Sequence, residues 1–188
     1  YKNFKENEYE TSVEVYYKTF DNQIEYENGY VPQLNVEPER SYVFGKGWSY
    51  GVELFLKKRL GSLNGWIGYT WSKTMRDFPE IQVDPFPAKY DRRHDLSVVA
   101  SYELNDRWSF SGTFIYGTGN AFTMPVSWYI IEGNLMAEYG DRNTFRLADY
   151  HRLDLGATLK GKETEKFSSS WVFAIYNVYS RLNPFFIY

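Results

Sequence analysis

Apolar residues recur at every second position through segments of about ten residues, and the segments are joined alternately by short turns and long polar loops. In residues 11–20, TSVEVYYKTF, an extended chain puts Val13, Val15 and Tyr17 on one face and Ser12, Glu14, Tyr16 and Lys18 on the other. The dyad continues in Trp48, Tyr50, Val52, Leu54 and Leu56, then in Leu63, Gly65, Ile67, Tyr69 and Trp71. It returns in Leu96, Val98, Ala100 and Tyr102, in Trp108, Phe110, Gly112, Phe114 and Tyr116, in Leu153, Leu155, Ala157 and Leu159, and in Trp171, Phe173 and Ile175. A period of two belongs to strands, because helical neighbours recur at three and four. With a short run at 23–28, the pattern predicts an all-β chain: an antiparallel transmembrane β-barrel wall of about eight strands, apolar toward lipid and polar toward a lumen.

Asp21-Asn22, Leu60-Gly61-Ser62 and Asn105-Asp106 read as short turns and 161–167 as a moderately short one, whereas 29–44, 76–90 and 118–150 are long and rich in Pro, Gly, Asn and charge. Outer-membrane barrels keep short turns on the periplasmic side and long loops outside. The spacing therefore predicts a first strand (11–20) that descends and a last one that ascends, so that the chain starts and stops on the outside. A complete small barrel has the opposite parity. The expectation is an internal slice of a larger barrel, with edges that are free or paired to protein beyond these residues, since an open sheet edge has no place in lipid.

Aromatic residues make up 20% of the 188, with 18 Tyr, 14 Phe and 6 Trp. Many fall at strand ends (Tyr17, Tyr26, Trp48, Tyr69, Trp71, Tyr102, Trp108, Tyr116, Tyr176, Tyr179), where a membrane interface favours an amphipathic ring. Mean hydropathy is −0.54, and no apolar run approaches the ~18 residues of a spanning helix. Low mean hydropathy is compatible with a barrel, because lumen residues dilute the apolar ones. Cys is absent, and the net charge of −3 lacks the basic face of a nucleic-acid binder. Two alternatives remain open on pattern alone: a complete small outer-membrane barrel acting as anchor or adhesin, and a soluble carbohydrate-binding β-sandwich.

Several strings stand out once the strands are placed: Gly51-Val52-Glu53-Leu54 followed by Gly65-Trp66-Ile67-Gly68-Tyr69-Thr70-Trp71-Ser72-Lys73; Tyr90-Asp91-Arg92-Arg93-His94-Asp95-Leu96; Gly117-Thr118-Gly119 with Pro125; Arg142-Asn143 with Tyr150-His151-Arg152-Leu153-Asp154-Leu155; and Tyr176-Asn177-Val178-Tyr179 with Asn183-Pro184-Phe185. Together, and in this order, they resemble the C-terminal part of the barrel of TonB-dependent outer-membrane receptors, most closely the type with an N-terminal carboxypeptidase-regulatory-like domain ahead of its plug. The resemblance implies a plugged barrel of about 22 strands and uptake driven by the inner-membrane TonB complex. In that frame residues 1–188 are a partial barrel, the fourteenth to twenty-first strands, without plug or final strand. It also implies the partners: outer-membrane lipid, the protein's own plug and remaining strands, the TonB complex through an N-terminal part not present here, and, as a further candidate, a surface lipoprotein. The localisation implied is the bacterial outer membrane, and the substrate a nutrient such as a siderophore, glycan or peptide.

Candidate chemistry is sparse. Glu53, Arg93, Asp95, Arg152 and Asp154 fall on inward positions, either as a lumen wall that contacts substrate or plug, or as ion pairs that merely hold charge beside water. His94 and His151 adjoin these charges but point the other way, and with only 2 His and no Cys a zinc site would need carboxylates to complete it. Gly117-Thr118-Gly119-Asn120 lacks the Lys-Ser/Thr of a phosphate loop, and no nucleophile elbow is present, so neither catalytic residues nor a cofactor or metal site is expected. Loop 120–149 is the richest candidate contact region. Its Trp128, Tyr129, Tyr139, Arg142, Asn143 and Arg146 could stack on and hydrogen-bond a substrate or partner, or could pack the loop onto its neighbours.

Overall fold

The computed structural model describes residues 2–4, 8–27, 37–163 and 167–184. They form β1 (Lys2–Phe4), β2 (Tyr9–Tyr26), β3 (Tyr42–Lys58), β4 (Leu63–Asp77), β5 (Phe86–Pro87), β6 (His94–Glu103), β7 (Trp108–Gly117), β8 (Ala121–Phe122), β9 (Pro125–Ile131), β10 (Asn134–Tyr139), β11 (Phe145–Arg146), β12 (Tyr150–Lys160) and β13 (Ser170–Ile175), with one 3-10 turn at Pro38–Ser41. The main sheet is antiparallel and runs β1-β2-β3-β4-β6-β7-β12-β13, with β5 added alongside β4. The ribbons β9-β10 and β8-β11 stand apart from it, within the long loop between β7 and β12. Among the described residues no pairing joins β13 to β1 or β2, so the sheet is open.

The ladder sorts side chains as the dyads require. Val15–Val52–Trp71–His94, Leu56–Ile67–Val98–Phe114–Leu153 and Tyr102–Phe110–Ala157–Phe173 are rows of directly opposed residues on one face. Glu14–Glu53–Thr70–Asp95 and Ser12–Phe55–Gly68–Ser97–Ile115–Arg152 are rows on the other. A one-residue slip in any pair would exchange its faces, so the continuity of both sets across seven strands fixes the register. On the apolar face Val13, Val15, Leu54, Leu56, Ile67, Phe110, Leu155, Phe173 and Ile175 are between 41% and 75% exposed. Apolar area that wide, on one face of one sheet, demands an apolar surrounding rather than water.

Two expectations change. The segment 11–20 and the run 23–28 are not two strands joined by a turn: β2 is continuous, and Asp21 and Asn22 together face the single residue Lys46 as a β-bulge, with Asn22 at φ 53°. Asn reaches positive φ at little cost, which suits a turn and a bulge equally; the long partner β3 decides for the bulge. Residues 11–20 therefore run toward the long-loop end, not away from it, and β1, antiparallel to the start of β2, is the strand that descends. Asn28, the end of the expected short run, lies outside the described residues. The last strand, β13, ascends as expected. The second change is in loop 118–150, which carries two ribbons in place of irregular chain; its tip, Glu132-Gly133 at φ 50° and 81°, is a two-residue hairpin turn of the primed kind.

What little buried core there is lies on the polar face at the long-loop end. Phe78 and Phe86, 6.1 Å apart between centroids and almost fully buried, pack with Val43 and Ile81. Gly45, on the same face of β3, makes room for them: a Cβ there would lie 2.6 Å from the Phe78 ring and 2.4 Å from the Asp77 carbonyl. The loop after β4 thus folds back over the polar face instead of standing away from the sheet.

Candidate functional site: the clamped outer rim

The chain leaving β5 continues along β4 as an edge. Ala88 N–H donates to the Thr74 carbonyl (3.0 Å), Ser72 N–H to the Arg93 carbonyl (3.2 Å) and Ser72 Oγ to the Arg92 carbonyl (2.8 Å). The residues looped out between these contacts place the Asp91 carboxylate, fully buried, against β4, where it accepts the Thr74 N–H at 2.6 Å. Two guanidinium groups compensate its charge: Arg93 at 3.2 Å and Arg146, from the far end of the long loop. Arg146 also donates to the carbonyls of Asp91 (2.6 Å) and Gly119 (3.2 Å), so one side chain ties both ends of the long loop to its neighbour. A buried charge with saturated hydrogen bonds on every side holds one geometry, since any opening exposes an unpaired ion.

Further clamps surround this one. Arg142 donates to the Tyr26 carbonyl (3.2 Å) and lies 3.6 Å from Glu25, while its N–H binds Gln82 Oε1 (2.8 Å). Asn143 donates from Nδ2 to the Pro87 carbonyl (2.9 Å) and from its N–H to Thr123 Oγ1 (3.1 Å). Thr118 Oγ1 accepts from the N–H groups of Arg93 (2.7 Å) and His94 (3.1 Å). Asp149 accepts from the Tyr116 hydroxyl (2.7 Å) and the Gly119 N–H (3.2 Å); the Tyr116 hydrogen bond holds its carboxyl below the usual carboxylate range, with lesser help from Gly119 and Arg181 and against a burial effect that raises it. Beyond β13, Asn183 pairs with the His151 N–H and carbonyl, each at 3.0 Å, prolonging the sheet by a side chain.

Of the residues singled out from sequence, Arg142, Asn143 and Arg146 are at these tie points, whereas Trp128, Tyr129 and Tyr139 stand exposed on the β9-β10 hairpin. One face of that hairpin is apolar throughout: Val126, Trp128 and Ile130 with Leu135 and Ala137. Glu53 is exposed on the polar face opposite Glu14, and Asp95 lies 3.4 Å from Arg92. Arg93 bridges Asp91 and the Trp71 ring, whose centroid is 6.0 Å away. Arg152 pairs with Asp154 through two nitrogens, Nε 3.0 Å from Oδ1 and Nη2 3.0 Å from Oδ2, with the Arg152 guanidinium 4.0 Å over the Tyr176 ring. His94 and His151 are on the apolar face and hydrogen-bond Tyr69 (2.7 Å) and Tyr179 (2.8 Å). No group of three His, Asp or Glu able to hold a metal occurs among the described residues. Asp91 and Asp149, which organise the rim, were not among the sequence candidates; their only signal was their place in, or next to, the strings quoted above.

A sheet with an apolar outer face, a polar inner face, aromatic residues toward both ends, and long loops folded inward at one end is the wall of a transmembrane β-barrel whose mouth is partly covered by its own loops. The family model described as TonB dependent receptor-like, beta-barrel, matches residues 1–178, and the chain belongs to that family. Comparison with curated proteins and with solved structures finds no match. The protein is accordingly a bacterial outer-membrane transport protein, with the long loops outside. Its family is one of transporters rather than enzymes, and works through a plug domain and contact with TonB.

Proposed function

We propose that this wall serves TonB-dependent uptake of a nutrient (siderophore, glycan, peptide or similar) through a plugged barrel of which residues 1–188 are one part, and that the β9-β10 hairpin contributes capture of that nutrient or docking of a surface lipoprotein. The observation that carries the reading is the contrast within one loop. The base, from 118 to 124 and from 140 to 149, is clamped by Asp91, Arg142, Asn143 and Arg146, while Val126, Trp128, Ile130 and Leu135 on the hairpin are 58–72% exposed, with no partner surface in the described residues. A two-stranded ribbon with an apolar face is marginal in water by itself, so a rigid base that presents one outside the cell suits a contact surface.

Replacing residues 126–139 of the full-length receptor by an Asn-Gly turn tests this. The ends already approach, with Gly140 N–H donating to the Met124 carbonyl at 3.3 Å, and every clamp is retained. Normal folding and surface expression with reduced uptake is the expected result. Uptake and binding unchanged would show that recognition lies elsewhere.

A further inference from the structure

We infer that the inner wall carries an anion site near its outer end, with Arg76 and Lys18 as its cations and a carboxylate or phosphate group as its occupant. The two residues project from β4 and β2 on the polar face, separated by β3. In register, Lys18 opposes Ser49, which opposes Thr74; one step higher on the same face, Phe20 opposes Gly47, which opposes Arg76. Two strands apart is about 10 Å, within the joint reach of two long side chains.

Arg76 crosses that gap. Its guanidinium lies 5.3 Å from the centroid of the Phe20 ring, and its Nη1 sits so close over Gly47 that a Cβ there would be 2.6 Å from it. A side chain here would have to displace the guanidinium, and its Cβ would also lie 2.8 Å from the Met75 carbonyl, which the backbone cannot easily move. Yet this group has no acceptor: Nη1 is buried without a hydrogen-bond partner, and among the described residues no ion pair involves Arg76. A buried guanidinium donor left unpaired is costly, and calls for an explanation wherever it occurs. Lys18, exposed on the same face, has its Nζ 4.7 Å from the centroid of the Tyr16 ring and likewise no acidic partner among the described residues.

A ring face balances charge but leaves the in-plane N–H groups of a guanidinium unsatisfied, and those are the donors that a carboxylate or phosphate takes in pairs. The acids nearby are committed or misplaced. Asp91 is occupied by Thr74, Arg93 and Arg146; Asp77 is on the opposite face, across from Lys46; Glu14 and Glu53 lie lower on the wall, opposing each other. The occupant therefore comes from outside the described residues: an anionic solute in the lumen, or a carboxylate from another part of the same protein. This rests on the transport reading only in taking the polar face as a lumen wall, and sharpens it by making the transported class anionic in the first case.

Chemical protection in the purified full-length receptor tests the site without reference to uptake. Phenylglyoxal modification of Arg76 and acetylation of Lys18 are followed by peptide mass spectrometry in chloride, and then in inorganic phosphate or citrate at equal ionic strength. With the anion at about ten times its Kd, both rates should fall about tenfold, and R76Q should abolish protection of Lys18. K18Q, read at Arg76, serves the same purpose if R76Q does not fold. Protection by phosphate or citrate identifies a solute site. No protection, but a carbodiimide cross-link from Lys18 to a carboxylate of the same chain, identifies an internal occupant. Free reaction of both groups, unaffected by either anion and without a cross-link, overturns the proposal. Protection in a receptor whose deletion leaves nutrient uptake intact would instead remove the transport reading and keep the site.

Discussion

Replacing Asp91 by Asn tests whether the outer rim is held by charge or merely by shape. The amide is isosteric and keeps an oxygen for the Thr74 N–H, so packing and one hydrogen bond survive. What is lost is the charge between Arg93 and Arg146, beside a carboxylate position that is 0% exposed. Removing one partner of a buried ion pair costs 3–5 kcal/mol in typical cases. Both arginines are partly exposed, 26% and 32%, so water takes up some of the orphaned charge; a cost of about 2–4 kcal/mol is the reasonable expectation after that screening. If the cost falls on local opening of the rim, amide exchange in 86–93, 118–124 and 140–149 should accelerate by about 30- to 700-fold, at tenfold per 1.4 kcal/mol. Exchange in β6 and β7 should be unchanged. Hydrogen exchange with mass spectrometry on the full-length receptor reads both. Adding R146M to D91N should restore part of the protection, because it removes one unpaired guanidinium. Exchange within about threefold of wild type at the rim would refute the clamp, since under 1 kcal/mol is what a solvated surface pair contributes.

On the lipid face, L54R should lower barrel stability by roughly 2–4 kcal/mol, whereas S97R on the lumen face should change it little; denaturant titration in vesicles compares them, and equal effects would negate the face assignment. Gly45→Ala should cost about 1–3 kcal/mol and loosen the loop after β4, because the methyl meets Phe78 and the Asp77 carbonyl; protease sensitivity of 78–90 is the readout. Asp149 has a folded pKa below its unfolded one, so its contribution is present above the usual carboxylate range and fades as pH falls through the lowered folded value. D149N should therefore flatten the acid limb of the rim's opening profile while leaving neutral-pH differences constant, which the same exchange measurement taken against pH detects.

The sequence shows which residues meet lipid and which meet the lumen, because a strand alternates sides at every residue and, among the described residues, the main sheet keeps that alternation in phase across every strand pair beyond the bulge at Asp21-Asn22. From β3 onward it also determined direction, since loop length reports it: the turns at 60–62 and 105–106 are short and the ascending strands end in long loops, as read. Asp21-Asn22 was not legible, because positive φ at Asn serves turn and bulge alike and only seventeen-residue β3, lying alongside, decides between them. Nor was the β9-β10 hairpin, although Glu132-Gly133 between apolar runs carried its signal. The rim belongs wholly to tertiary structure. Asp91 and Arg146 are 55 residues apart and look in sequence like two solvated loop charges; what buries one against the other is the folding of two loops onto the same end of β4, and a charge's cost or value is set by what displaces its water, which no local pattern records.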